Sequence, residues 1–74
     1  MNIKISEHAA KRMAERHISE EAIRKAFDDD NWESYDVSEV DETAVIVTKT
    51  INGKKWCFVF NWETATLITC YPRR

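Results

Sequence analysis

Apolar positions follow two rhythms along the chain. From Ile5 to Phe27 they recur at helical spacing, and from Trp32 onward they alternate every second residue. The first stretch sets Ile5, Ala9 and Met13 on one face, with Ala10 and Ala14 flanking it. Ser6 is placed to cap this helix, Glu7 suits its positive end, and His17-Ile18 ends it. Ser19 then caps a second helix whose apolar face is Ala22, Ile23, Ala26 and Phe27. Asp28-Asp29-Asp30 puts three negative charges at its C-terminal end. That is the wrong sign for the helix dipole, so the helix stops about there.

The period of two begins with a strand from Trp32 to Val37, followed by a turn at Asp41-Glu42-Thr43. Ala44 to Ile51 is β-branched and reads as a strand. Asn52-Gly53 is the strongest hairpin signal, because a type I′ turn needs positive φ at both central positions. Lys55 to Asn61 returns, Glu63-Thr64 reverses the chain, and Ala65 to Tyr71 is the last strand, stopped by Pro72. The order α-α-β-β-β-β predicts an α+β fold in one domain over residues 1–74. Its helical pair, over 6–30, packs on a four-stranded antiparallel β-meander over 32–71.

The Asn52-Gly53 turn predicts the pairs Lys49–Trp56, Val47–Phe58 and Val45–Phe60. A two-residue reversal at Glu63-Thr64 predicts Phe60–Leu67, Phe58–Thr69 and Trp56–Tyr71, with Cys57 opposite Cys70. The helices are then expected over Val45, Val47, Trp56, Phe58, Phe60, Leu67 and Tyr71. The other face carries Ile46, Thr48, Cys57, Val59, Ile68 and Cys70. It is too apolar to be left wet, so a partner, a substrate or a second copy is expected on it.

A chain of 74 residues buries only about 60% of its unfolded surface, so the aromatic side chains carry much of the core. No apolar run approaches membrane-spanning length and no charged-then-apolar leader opens the sequence. A soluble, cytoplasmic protein with no membrane partner is expected, and therefore reduced cysteines. Cys57 and Cys70 lack metal-knuckle spacing, so neither a metal site nor a cofactor is expected. The net charge of −2 counts against a constitutive nucleic-acid binder. It is unevenly spread, however. Residues 1–25 balance at +2, residues 26–48 carry eight acids and no base, and residues 49–74 balance at +4. Two basic ends sharing one face fit an anionic ligand, and ordinary solvated charge fits equally well.

His8, Arg12 and Arg16 recur at i, i+4 and i+8 and so line one flank of the first helix. An imidazole beside two permanent cations suits a phosphodiester. The bland alternative has both arginines laying their stems over the core and pairing with acids such as Glu20 or Asp28. Lys54, Lys55, Arg73 and Arg74 are expected at one end of the sheet near Tyr71, either as phosphate ligands or as a solubilising tip. Cleaving RNA without a metal needs a base for the 2′-hydroxyl, cations for the phosphate and an acid for the leaving oxygen. Asp28-Asp29-Asp30 reads as a solvated turn rather than a cation site, because consecutive carboxylates do not converge.

The run His8-Ala9-x-x-Arg12-Met13-x-x-Arg16-x-Ile18-Ser19, with strands closing in Leu67-Ile68-Thr69-x-Tyr71, resembles a bacterial family called domain of unknown function 4258. That family is similar in turn to the compact ribonuclease superfamily of RelE- and ParE-type toxins, barnase and colicin-type transfer-RNA nucleases. The resemblance implies two helices on a four-stranded antiparallel sheet, and points to His8, Arg12, Arg16, Thr69 and Tyr71. The expected function is RNA binding with metal-independent phosphodiester cleavage in a toxin-like protein. His8 would be the acid/base, and Tyr71 a second proton donor or orienter. Arg12, Arg16, Lys54, Lys55 and Arg73 would hold phosphate. The competing expectation is a non-catalytic interaction module, pairing through its uncovered sheet face with an antitoxin-like protein or with itself. Whether His8 and Tyr71 approach each other discriminates the two.

Overall fold

Both helices begin at the serines marked by the sequence. A computed structural model describes residues 2–39 and 41–73. Its elements are β1 (Lys4–Ile5), α1 (Glu7–Arg16), α2 (Glu20–Asp29), β2 (Ser34–Val37), β3 (Ala44–Ile51), β4 (Lys54–Asn61) and β5 (Thr66–Pro72). Ser6 Oγ accepts from the Ala9 amide at 3.0 Å and Ser19 Oγ from the Ala22 amide at 3.1 Å. Each cap satisfies an amide that has no partner inside its helix. α1 closes at His17, with φ 58° and ψ 39°. The amides of His17 and Ile18 reach back to the carbonyls of Ala14 and Met13, a Schellman ending with Met13 and Ile18 buried beneath it. Asp30 closes α2 at φ 48°, inside the aspartate run.

The sheet has five strands in the order β1-β5-β4-β3-β2. The four-stranded antiparallel expectation is therefore corrected to a mixed sheet, in an α+β fold with both helices ahead of the meander. β2 to β5 pair antiparallel in sequence, and β1 adds parallel to β5 through Lys4–Thr66 and Ile5–Leu67. β1 is two residues long, too short for alternation to reveal. It is held by the amides of Lys4 and Ser6, which donate to the Ala65 and Leu67 carbonyls at 2.8 and 3.1 Å.

Asn52 and Gly53 have φ of 53° and 80°, the positive values a primed turn needs. The β3–β4 register is as expected, with Lys49–Trp56, Val47–Phe58 and Val45–Phe60 opposite. At the next reversal Asn61 Oδ1 accepts from the Glu63 and Thr64 amides, and Phe60 faces Leu67 as expected. Beyond that point the expected register fails. Val59 faces Thr69, so Ile68 is an extra residue in β5. This bulge sets Cys70 opposite Phe58, Tyr71 opposite Cys57 and Pro72 opposite Trp56. Cys70 joins the helix-side core, and alternation turns Tyr71 to the other face, beside Cys57. The two cysteines are free and buried, on opposite faces rather than side by side. Pro72 continues the strand instead of stopping it. The Arg73 amide donates inward to the Lys55 carbonyl at 2.8 Å, so the N–H that Pro72 lacks would have pointed out from the edge.

Met13, Ile23, Phe27, Val47, Phe58, Phe60 and Leu67 share one core. The Phe27 ring lies 4.8 Å from both Trp32 and Phe60. The Ser6 hydroxyl also donates to the Ile68 carbonyl at 2.8 Å, tying the start of α1 to the bulge. Ser19→Ala should cost about 1 kcal/mol, the ordinary loss of a cap. Ser6→Ala should cost about 2 kcal/mol, because it also strips the Ile68 carbonyl of its partner. Urea unfolding of both variants measures the difference, and equal costs would contradict this second role of Ser6.

Candidate nucleic-acid interface

The α1–α2 turn meets the β3–β4 hairpin at a cleft of about 340 Å³. Its walls include Arg16, His17, Ser19, Asn52, Lys54 and Trp56, and no carboxylate lines it. Local structure explains each position. The left-handed His17 turns the chain sharply after Arg16, so both stand at the cleft. The Ser19 cap begins α2 there, bringing the positive end of a helix dipole to the same wall. The primed turn carries Asn52 and delivers Lys54, whose Nζ sits 5.6 Å from the centroid of the buried Trp56 ring. A second hollow shares Ala22, Ile51 and Asn52 with the first and adds Lys25, Lys49 and Asp29, so the groove continues along α2. Lys49 and Asp29 are 3.8 Å apart within it.

The stripe along α1 is divided in its contacts. α1 runs beside β5 in the same sense, with its first turn tied to Ile68, Arg12 within electrostatic reach of Cys70, and Arg16 in the cleft. Arg12 pairs with Glu15 at 3.2 Å, not with Glu20 or Asp28, and both partners are substantially exposed. Glu20 is held by Arg24, whose guanidinium also donates to the Ile3 carbonyl at 2.8 Å. His8 is exposed on the first turn of α1.

Lys54, Lys55 and Arg73 share the hairpin end of the sheet along the backbone, but alternation sends the Lys54 and Lys55 side chains to opposite faces. Arg74 lies outside the described residues. Lys55 pairs with Glu33 at 3.4 Å. Tyr71 stands 42% exposed on the face away from the helices, with Thr69 on that same face. Burial first, then the neighbouring Cys57 thiol, push the Tyr71 phenol above its ordinary pKa. The structure thus unites Arg16 and Lys54 but sends His8 and Tyr71 to different sides of the sheet. His17 joins the cleft although the sequence marked it only as a helix end. Its signal was its place between Arg16 and the Ser19 cap.

The aspartate run is exposed as expected but closes α2 instead of forming a turn of its own, since Asp28 and Asp29 are helical and Asp30 is the C-cap. Asp29 meets Lys49, and Asp30 Oδ1 accepts from Trp32 Nε1 at 2.9 Å. Among the described residues no three His, Cys, Asp or Glu side chains converge to hold a metal ion, and no helix is long and apolar enough to cross a membrane. The family model described as domain of unknown function (DUF4258) matches residues 5–72. No curated protein and no solved structure matches the chain.

Glu33 clasps the back of the hairpin, accepting from Thr50 and pairing with Lys55. These contacts, the Thr50 bonds foremost, hold its carboxyl below the ordinary value of 4.5. A depressed carboxylate stabilises the fold above its unfolded pKa and loses that effect as pH falls through its folded one. Glu33→Gln should therefore lower Tm at neutral pH, with the gap to the wild type closing below pH 4.5. Thermal melts across the acid range check this. A gap that widens on acidification would contradict it.

Proposed function

The chain belongs to the DUF4258 family, and on that footing we propose that it binds single-stranded RNA by the sugar–phosphate backbone, in the cleft between the α1–α2 turn and the β3–β4 hairpin. The observation that carries this reading is selective charge. Arg16, His17 and Lys54 line one cleft without a carboxylate in a chain of net charge −2. The guanidinium of Arg16 matches two phosphate oxygens at once, and Lys54 supplies a point charge on a braced stem. Lys25 extends the same track. Arg12 and His8 lead toward it along α1, Arg16 being about 12 Å from His8 along the axis. The Arg12–Glu15 pair does not oppose this, because exposed pairs are worth about 0–1 kcal/mol and a phosphate can replace the carboxylate.

The geometry favours binding ahead of cleavage. A cutting site would need an acid and a base on one phosphodiester, and His8 and Tyr71 stand on different faces. Within the cleft His17 supplies the imidazole, so the proton-transfer role expected of His8 fits His17 better by position. The alternative of a protein-interaction module keeps one specific support. The face bearing Ile46, Val59 and Tyr71 carries no helix, and Tyr71 remains exposed on it.

Fluorescence anisotropy with a labelled single-stranded RNA should reveal binding that weakens with salt. Arg16→Ala and Lys54→Ala should each flatten the log–log salt slope by about 0.7, the signature of one lost phosphate contact on a single strand. Tyr71→Phe should leave the slope unchanged. No binding at low salt, or slopes equal to wild type in both cation variants, would sink the proposal. Gel analysis of the same RNA with His17→Ala and His8→Ala separates cleavage from binding.

A further inference from the structure

A second groove, of about 230 Å³, opens where the end of α2 meets β2, β3 and β4. Its rim is aromatic and exposed: Tyr35 and Trp62 are 62% and 58% accessible, and Trp32 stands beside them. Val47 and Phe60 form its floor. One carboxylate enters, that of Asp30. The left-handed backbone at Asp30 and the bond from Trp32 Nε1 to its Oδ1 fix its direction. Among the described residues its second oxygen has no partner. The groove opens in the stretch that carries eight acids and no base.

Aromatic faces attract cations, and a fixed carboxylate beside them selects a cation over a neutral apolar group. The space is smaller than the roughly 300–1,000 Å³ of small-molecule pockets and suits a single side chain. A planar guanidinium fits best, because it stacks on rings while bonding a carboxylate edge-on. β2 is also a free edge of the sheet, so an extended segment can add to it. Every second side chain of such a segment would then stand beside Tyr35 on the groove's side. We infer that this groove docks a basic, extended segment of a partner protein along β2, seating an arginine among Trp32, Tyr35, Trp62 and Asp30. The surface is separate from the cationic cleft, so it does not depend on RNA binding.

The test uses a blocked peptide of alternating arginine and valine, and the same peptide with citrulline, the neutral isostere, in place of arginine. Calorimetry and tryptophan fluorescence read binding to the wild-type chain and to Tyr35→Ala, Trp62→Ala and Asp30→Asn. The exposure of Tyr35 and Trp62 lets their variants fold, which circular dichroism checks. The arginine peptide should bind in a salt-sensitive manner, the citrulline peptide at least tenfold more weakly, and each variant at least tenfold more weakly than wild type. Equal binding of both peptides, binding unchanged in Trp62→Ala, or no binding at low salt would overturn the inference. So would self-association of the free chain that Trp62→Ala abolishes, which would make the occupant a second copy. Equal affinity for free tetramethylammonium would also overturn it, by making the occupant a small cation.

Discussion

One serine hydroxyl joins the helical layer to the sheet. Ser6 Oγ accepts a hydrogen bond from the Ala9 amide, starting α1, and donates one to the carbonyl of Ile68, the extra residue of β5. The two bonds act on opposite layers. The first sets where the helix begins. The second meets the strand at the point where its register has slipped by one. That slip decides that Cys70 packs under the helices while Tyr71 turns away from them. The parallel strand β1 holds the same corner, through the Ser6 amide on the Leu67 carbonyl. With its start pinned there, α1 runs along β5 and ends at the hairpin, which is why Arg16 and His17 reach Lys54.

The cleft is consequently a product of chain reversals rather than of one element. A left-handed helix end, an N-cap and a primed turn supply its walls, each needing only a few residues. The left-handed conformation at His17 and Asp30 is costly for a residue with a Cβ, of order 1 kcal/mol each. Both positions lie at grooves: His17 in the cationic cleft, Asp30 among the aromatic rings. The molecule thus separates its charge in space as the sequence separates it along the chain. The basic ends meet at one groove, and the acidic middle borders the other.

Much of this was legible in the sequence because it is local. Ser6, Ser19 and Asn52-Gly53 act through partners within a few residues, and the β3–β4 register follows from the turn alone. The bulge was not legible. Ile68 is β-branched and apolar like its neighbours, so nothing in the alternation marks it as extra. Its stabilising partner, Ser6, is sixty-two residues away. β1 is hidden for the same reason, since two residues carry no period and their partners lie in the last strand. The different placement of Tyr71 follows directly from the bulge, and with it goes the idea of a His8–Tyr71 pair. The place of His17 between Arg16 and the Ser19 cap is legible, but that it lines a cleft with Lys54 depends on where the hairpin lies. The aromatic groove is equally hidden, because Trp62 reaches Trp32 and Tyr35 only through the fold.

RNA is proposed to enter the cationic cleft and not the uncovered sheet face. Residue-resolved NMR during titration with a short single-stranded RNA tests it most directly. Shifts should concentrate on Arg16, His17, the first amides of α2 after Ser19, and Asn52 to Lys54. Shifts centred instead on Ile46, Val59, Thr69 and Tyr71, or none at low salt, would contradict the account.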